Sequence, residues 1–332
     1  MADNSRNRAS GLAFAIVSAL AFGGSGPVAR PLLDAGLDPL HVTWLRVAGA
    51  ALLLLPVALR HRRVLRTRPA LLLAYGMFPM AGVQACYFAA ITRIPVSVAL
   101  LIEFLGPVLV LLWTRLVRRV PVSRAAALGV VLAVVGLSFL VEAWAGIRLD
   151  AVGLVLALGA AVGQATYFLL SDAARDDADP LAVISYGALV AAVLMGLLAR
   201  PWTLPWRTLA ATVEFGGADV PALALLVWLA LVATAVAYVT GVAAVRRLSP
   251  VVAGPVAYLE VVTSIVLAWL LLGEELSPAQ LAGAVAVVAG AFLAQTAVPA
   301  SPAPARRSRP SEPEPPRPSA AVTGQGQQSP DR

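Results

Sequence analysis

The sequence predicts an all-α membrane protein in which ten transmembrane helices form two inverted five-helix repeats. Three features predict this fold: the composition, the regular succession of apolar runs, and the similarity between the two halves of the chain. Of the 332 residues, 59% are hydrophobic and only 13% are charged, which is too apolar for a protein whose whole surface meets water. Short polar or Pro/Gly-rich segments separate the apolar runs, as is typical of a chain that crosses the bilayer repeatedly.

Ten apolar runs are long enough to cross a bilayer, because about 20 helical residues span roughly 30 Å of hydrocarbon. We number these predicted spans one to ten in chain order: 11–33, 39–59, 69–91, 95–116, 124–142, 151–172, 180–199, 221–243, 250–272 and 277–297. Residues 1–10 precede the first span, which has no cleavage site of small residues and is therefore predicted to stay uncleaved. Residues 298–332 are rich in Pro, Ser and charge, which predicts a disordered tail.

The second half of the sequence resembles the first. Both halves carry the triplet Asp-Pro-Leu ahead of a span, at residues 38–40 and 179–181. A shift of 154 residues also aligns four identical pairs: Gly129 with Gly283, Gly136 with Gly290, Arg93 with Arg247 and Ala99 with Ala253. Each repeat, 11–142 and 151–297, holds an odd number of spans, so the second is predicted to lie upside down relative to the first.

The distribution of arginine predicts the orientation. With residue 1 inside, the cytoplasmic side holds Arg60, Arg62, Arg63, Arg66, Arg68, Arg115, Arg118, Arg119, Arg124, Arg246 and Arg247, whereas the opposite side holds Arg30, Arg93, Arg148, Arg200 and Arg207. Arginine in short loops is retained in the cytoplasm, so we expect a multi-pass protein of the inner cell membrane with both termini cytoplasmic. The net charge of +7 is thereby explained by topology rather than by binding to nucleic acid.

Three charged residues fall inside predicted spans, where a charge costs on the order of 3 kcal/mol. Arg46 is seven residues past Pro39, and Glu103 is eight residues past Pro95, so both lie roughly 10–12 Å deep from the outer side. Glu260 is ten residues into span nine from the cytoplasmic side. All three are therefore expected near the middle of the membrane.

Two interpretations of these charges remain open. In the functional one, they line a central cavity for a zwitterion, with Arg46 binding a carboxylate and a glutamate binding an ammonium group. Glu103 then alternates between a protonated and a charged form and couples a proton to transport. In the structural one, Arg46 and Glu103 form an ion pair that fixes helix packing, and neighbouring polar groups satisfy Glu260.

Span one contains a predicted break at Gly23, Gly24, Gly26 and Pro27, where flexible glycines and the missing proline N–H interrupt a regular helix. Such breaks point to the binding site of a transporter, although close packing through small residues explains them equally well. Four polar or aromatic residues at similar depth complete the predicted lining: Gln84, Tyr87, Gln164 and Tyr238.

Other function classes lack their signatures. The single cysteine, Cys86, excludes a disulfide within the chain, and no metal or cofactor is expected. His41 and His61 lie at span edges without a catalytic constellation, so an intramembrane enzyme using Glu103 as a base is the less favoured alternative. No continuous polar stripe favours a channel. The expected partners are a small-molecule substrate and membrane lipids, without nucleic acid, for a monomer or homodimer.

Several motifs resemble the EamA-type drug/metabolite transporter superfamily across residues 10–297. The stretch 271–274 before the last span matches that superfamily, and residues 94–107, with Glu103 and Gly106-Pro107, resemble its threonine/homoserine exporter branch. The same branch is matched by residues 42–43, 45–46 and 156–160 and by Tyr167. The sequence departs from the family at Glu260, which is followed by Val261 rather than by proline.

This resemblance implies inverted five-helix repeats around a central cavity and secondary export of amino acids or related metabolites, driven by a proton gradient. It also implies that Arg46 and Glu103 belong to the site, because both match the branch. Within transport, efflux of a cationic drug or a nucleobase-like metabolite is the alternative.

Overall fold

The computed structural model describes residues 2–121, 123–142, 149–173, 179–248 and 256–296, without the side chains of residues 2–8, 171–173 and 294–296. The predicted tail, 298–332, and the start of predicted span nine, 250–255, lie outside the described residues.

The described chain is almost entirely helical. Its α-helices are Ala2–Gly23 (α1), Ser25–Asp34 (α2), Pro39–Arg60 (α3), Arg63–Thr67 (α4), Pro69–Tyr75 (α5), Val83–Ile91 (α6), Val96–Glu103 (α7), Gly106–Leu116 (α8), Arg124–Leu140 (α9), Ala151–Ala173 (α10), Pro180–Ala199 (α11), Trp206–Ala210 (α12), Ala222–Ala230 (α13), Ala237–Val245 (α14), Leu259–Leu272 (α15) and Pro278–Thr296 (α16). Two π-helical segments, Gly76–Gly82 and Leu231–Val236, and one 3₁₀ turn, Pro201–Thr203, connect some of them.

Seven helices among the described residues are long and apolar enough to cross a membrane. They are Ala9–Asp34, Pro39–Arg60, Pro69–Ile91, Val96–Leu116, Ala151–Leu170, Pro180–Ala199 and Ala222–Val245. Three shorter apolar helices lie in predicted spans five, nine and ten: Arg124–Leu140, Leu259–Leu272 and Pro278–Leu293. The chain is therefore a multi-pass membrane protein.

The Asp-Pro-Leu triplets start equivalent helices in the two halves. Asp38 accepts a hydrogen bond from the N–H of Leu40 at 2.8 Å, and Asp179 accepts one from the N–H of Leu181 at 2.8 Å. Each aspartate thus satisfies one of the free donors of the first helical turn, and the following proline occupies the position where its missing N–H costs nothing. The sequence signal therefore fixes the beginnings of α3 and α11.

Two membrane helices are broken at related places. In predicted span four, Phe104 and Leu105 interrupt the helix, and Pro107 has no N–H for the carbonyl oxygen of Glu103. In predicted span nine, Tyr258 interrupts the helix. The 154-residue shift aligns Phe104 with Tyr258, and their rings contact each other with centroids 5.6 Å apart.

The π-helical segments are related in the same way. Residues 76–82, shifted by 154 residues, fall on 230–236, and the second segment is Leu231–Val236. A π-helical turn inserts an extra residue into the helix and is frequent at functional sites. The two halves therefore share backbone irregularities as well as sequence.

Equivalent helices of the two halves pack against each other in antiparallel orientation. A Cβ atom placed on Gly283 would lie 2.7 Å from the carbonyl oxygen of Gly136, and one on Gly290 would lie 2.6 Å from that of Gly129. Residue numbers thus rise along α9 while they fall along α16. Helices α3 and α11 show the same relation, because Tyr186 donates to the Ala58 carbonyl at 2.8 Å while Gly196 lies against Trp44.

Replacing Gly283 with leucine is expected to destabilise the protein by about 1–3 kcal/mol, as overpacking usually does. Even a Cβ atom at this position would lie 2.6 Å from the backbone nitrogen of Leu140, so α9 and α16 must separate. Thermal unfolding in detergent measures the effect. The control is Ala282→Leu, which adds a similar bulk to an exposed position of the same helix. Equal midpoints for the two variants would contradict the prediction.

A short β-hairpin, which the all-helical prediction does not include, precedes α13. Strand Thr212–Phe215 pairs with strand Ala218–Pro221 in antiparallel register. Gly216 and Gly217 form its turn with φ of +61° and +80°, values that favour glycine. Val213 is buried in the main apolar core, and Gly216 lies against Leu271 at the end of α15. The hairpin therefore covers the helix ends on the predicted outer side.

Candidate functional site

Arg46 lies at the centre of the helical assembly, with only 1% of its surface exposed. It is on the second turn of α3, after the Asp38 cap. Among the described residues it is the largest fully buried side chain. A buried guanidinium is tolerated only when hydrogen bonds or opposite charges replace its hydration.

Neutral groups hold the guanidinium through four hydrogen bonds. Its Nε donates to Thr234 Oγ1 at 2.7 Å, one terminal nitrogen donates to Ser25 Oγ and to Gln84 Oε1 at 2.7 Å, and the other donates to the Ala233 carbonyl at 2.8 Å. A guanidinium has five N–H donors. The fifth donor, the second N–H on the nitrogen bound to Ala233, has no protein partner within the described residues.

Backbone irregularities place each of these partners. Ser25 begins α2 directly after the interruption at Gly24. Thr234 and the Ala233 carbonyl belong to the second π-helical segment, and Gln84 follows the first. The Thr234 hydroxyl in turn donates to the carbonyl of Leu229, five residues earlier, at 2.9 Å. The regular helices thus form the scaffold, and their breaks supply the ligands of Arg46.

The carboxylates of Glu103 and Glu260 lie within electrostatic range of Arg46 and of each other. Glu103 is 8% exposed and ends α7, at the break in span four, whereas Glu260 is on the first turn of α15. Neither of them makes an ion pair with Arg46 in the part of the chain that the structure describes. The direct Arg46–Glu103 pair of the structural interpretation is therefore not formed.

Aromatic side chains enclose this charged cluster. The Phe88 ring lies 5.4 Å from the guanidinium carbon of Arg46, which places the cation over an aromatic face. Tyr87 and Tyr238 are within electrostatic range of Arg46, and the Tyr238 ring contacts Phe22 with centroids 4.9 Å apart. Four of the residues predicted to line a site, Gln84, Tyr87, Tyr238 and Glu260, are thus gathered around Arg46 and Glu103.

The glycines near the break in span one allow close approach of neighbouring helices. The interruption itself is confined to Gly24, while Pro27 is the third residue of α2, where an N–H is not needed. Gly26 lies against the Tyr87 hydroxyl, and Gly24 lies against the Trp228 ring. A Cβ atom on Gly23 would come within 2.6 Å of the Glu260 carbonyl oxygen. The segment therefore both breaks the helix and packs tightly.

Gln164 is neither a hydrogen-bond partner of Arg46 nor one of the groups within its electrostatic range. It lies against Gly106, one turn beyond Glu103, and its buried Oε1 has no hydrogen-bond partner within the described residues. Gln164 therefore lies beside the break in span four and is not one of the ligands of the guanidinium.

Clefts lie toward both ends of the helices. One, of about 340 Å³, is lined by Arg30, Asp34, Thr92, Arg93, Ile94, Pro95, Leu272 and Glu274 on the predicted outer side. The other, of about 420 Å³, is lined by Leu181, Val239, Val242, Ala243, Arg246 and Arg247 on the predicted cytoplasmic side. At its edge, Asp179 accepts a hydrogen bond from Arg246 at 2.7 Å. Partial burial raises the pKa of Asp179, but hydrogen bonds from Arg246 and from the Leu181 N–H outweigh it and leave the pKa lowered.

The sequence analysis did not predict Ser25, Thr234, the Ala233 carbonyl or Phe88 as site residues. Ser25 lies inside the Gly-rich segment and Thr234 is a polar residue within an apolar run, so both had a sequence signal. The break after Glu103 also had one, in Gly106-Pro107. The π-helical carbonyl of Ala233 had no such signal, because the residue types there do not indicate that the helix becomes irregular.

Comparison with known proteins places both halves of the chain in one family. The sequence profile of the EamA-like transporter family matches residues 9–142 and again residues 151–296. The threonine/homoserine exporter RhtA of Escherichia coli (strain K12) is 32% identical over 253 residues, which cover 75% of this chain and 79% of that protein. The exporter of the same name from Salmonella typhimurium (strain SL1344) is 34% identical over 158 residues, 46% of this chain and 50% of that protein.

A solved crystal structure shares the fold. It aligns with a TM-score of 0.60 at 20% sequence identity and covers 87% of this chain and 97% of the other. At this identity the likeness concerns the arrangement of helices and does not extend to function.

Proposed function

Since the chain belongs to the EamA-like transporter family, we propose that it exports a small amino-acid-like metabolite, of the threonine/homoserine type, in exchange for protons. Family membership makes the chain a transporter and removes the alternative of an intramembrane enzyme. The substrate class is suggested by similarity to the threonine/homoserine exporters. The residues around Arg46 give it a physical basis.

The observation that carries the proposal is the unpaired donor of Arg46. A purely structural arginine in the membrane would be expected to pair directly with an acid. Here four neutral contacts orient the guanidinium, and one N–H stays free of protein partners in the described residues. A substrate carboxylate would complete this donor set and would add a charge-assisted hydrogen bond, which the neutral partners do not provide.

The two carboxylates provide for the opposite end of a zwitterion. An α-amino acid carries its ammonium and carboxylate groups close together, and Glu103 and Glu260 lie within electrostatic range of Arg46. One carboxylate binds the ammonium group, and the other is available to carry a proton. Exchange requires this second carboxyl group to be deprotonated while the site carries the substrate outward and protonated while the empty site returns, so that one proton enters for each substrate exported.

We further propose that the two repeats, residues 11–142 and 151–297, have inverted topology and alternate access to the site. The antiparallel packing of equivalent helices, α9 with α16 and α3 with α11, supports this arrangement. The matched breaks at Phe104 and Tyr258 support it too, because they place a flexible joint in each repeat beside the charged cluster. In this topology ten spans bring both termini to the cytoplasm.

Reconstitution in liposomes tests the proposal. Protein in vesicles loaded with radiolabelled threonine or homoserine should release the label faster when a pH gradient, with the acidic side opposite the label, is imposed. The released label should be chemically unchanged. Absence of flux for a panel of amino acids, in vesicles whose protein is folded, would refute the substrate class while leaving the family assignment intact.

Efflux of an organic cation is the second candidate, favoured by the excess of carboxylates over cations in the cluster. A cation has no carboxylate to occupy the free donor of Arg46. Transport of a cation should therefore survive substitution of Arg46, whereas transport of an amino acid should not. Parallel flux measurements with both kinds of substrate on one Arg46 variant distinguish the two candidates.

A further inference from the structure

Glu274 connects the last loop of the second half to a helix of the first half. One carboxylate oxygen accepts a hydrogen bond from the N–H of Val96 at 2.8 Å. The other accepts from the N–H of Ser97 at 3.2 Å and from the Ser97 hydroxyl at 3.1 Å. The two sides of this contact are 178 and 177 residues apart in the chain, so it joins segments that the membrane topology alone does not hold together.

The contact satisfies backbone donors at the start of α7. The first N–H groups of a helix have no partner within it, and Pro95, which precedes α7, offers no side-chain cap. A carboxylate at this end satisfies the donors and interacts favourably with the positive end of the helix dipole. Glu274 therefore fixes the outer end of α7 relative to the outer end of α15.

The local backbone holds Glu274 in place. Gly273 ends α15 in the left-handed conformation with φ of +66°, which glycine adopts without strain. The N–H of Glu274 donates to the Ala268 carbonyl at 3.2 Å. The chain thus turns sharply after α15 and directs the carboxylate toward α7.

Helix α7 links this contact to the charged cluster. It has only eight residues, Val96–Glu103; Glu274 holds its first turn, and its last residue is Glu103. An outward opening of the site that separates the outer ends of α7 and α15 would break this contact. The outer cleft, which Glu274 itself lines, brings solvent to the carboxylate so that water can replace the three hydrogen bonds when they break.

We propose that Glu274 is a positioning residue that latches the outer gate, holding α7 closed against α15 until the loaded site opens outward. The proposal rests on the proposed function, because it assumes an alternating transporter. The latch favours the outward-closed state by the hydrogen bonds that exist only there.

The rate at which a buried outer position becomes accessible tests the latch without any substrate. Val96 is 0% exposed, and its N–H is part of the contact. In a background with Cys86→Ser, the variant Val96→Cys should react slowly with a membrane-impermeant thiol reagent added outside intact cells. Adding Glu274→Gln should raise this rate about tenfold, the effect of losing roughly 1.4 kcal/mol of charge-assisted hydrogen bonding. Glu275→Gln, which removes the same charge from the exposed neighbouring residue, should leave the rate unchanged.

Two further variants make the result decisive. Ser97→Ala removes only the hydroxyl donor and should give a smaller increase, so it replaces Glu274→Gln if that variant does not fold. The variant Thr92→Cys reports on an already exposed position and should react equally in every background. An unchanged rate in Glu274→Gln, or an equal rise in Glu275→Gln, would overturn the latch. Failure to transport threonine would count against the proposed substrate and would leave the labelling result standing.

Discussion

Arg46→Ala is expected to reduce amino-acid export by at least about 100-fold, which corresponds to about 2.7 kcal/mol of lost interaction with the transported substrate. On the proposed function, the substitution removes the group that binds the substrate carboxylate. It also leaves Ser25, Gln84, Thr234 and the Ala233 carbonyl without their shared partner. Flux in liposomes at equal protein content measures the effect.

Two control variants separate the role of Arg46 in binding from its role in folding. Arg46→Lys keeps the charge but cannot reproduce the forked contacts, so we expect folded protein with flux reduced at least tenfold, about 1.4 kcal/mol. Arg207→Ala removes an exposed arginine outside the membrane and should transport normally. Wild-type flux in Arg46→Ala would remove the proposed site, and loss of amino-acid transport with retained cation transport would support it.

Glu103→Gln is expected to abolish export driven by a pH gradient while retaining most of the exchange of internal for external substrate. Glutamine keeps the size and hydrogen-bonding groups of the protonated acid but cannot release a proton. Uphill transport needs that release, whereas exchange needs only the movement of the loaded site. Comparison of pH-driven efflux with counterflow in the same vesicles measures the difference.

The same role of Glu103 predicts how the rate of export depends on the outer pH. In the wild-type protein, acid on the outer side favours protonation of Glu103 when the site faces outward, so export should accelerate as the outer pH falls. In Glu103→Gln the flux should be independent of pH. Glu214→Gln, which neutralises an exposed acid of the β-hairpin, is the control and should keep the wild-type pH profile. An unaltered pH profile in Glu103→Gln would mean that another group couples the proton, and Glu260 would be tested next.

The relation between sequence and site differs from residue to residue. Arg46 and Glu103 were predictable because a charge within a membrane span is costly, so that a charged residue there indicates a functional site. Gln84, Tyr87 and Tyr238 were predictable only as polar groups of similar depth, and the same criterion selected Gln164, which lies beside Gly106 instead of contacting Arg46. The depth of a residue in the membrane is set by its position along one helix. The direction in which its side chain points depends on how that helix is rotated against its neighbours, which the sequence does not show.

Some details were beyond the sequence for another physical reason. The contact between Glu274 and α7 joins residues about 178 positions apart. Neither segment carries a sequence signal that points to the other. The hairpin 212–221 lies in a loop whose strands are too short to give a periodic signal. The π-helical segments insert an extra residue into a helix, and the apolar pattern of the sequence does not indicate where such an insertion falls.

The apolar runs, the Asp-Pro-Leu starts and the arginine distribution by themselves determined that the chain folds as membrane helices, because exclusion of charge from hydrocarbon acts on each segment alone. The resemblance between the halves also came from residue order. Only the tertiary structure decided that neutral groups rather than an acid hold Arg46, that one of its donors has no protein partner among the described residues, and that Glu274 caps the first turn of α7. Those features depend on contacts between distant segments, whose distances become defined only when the helices pack.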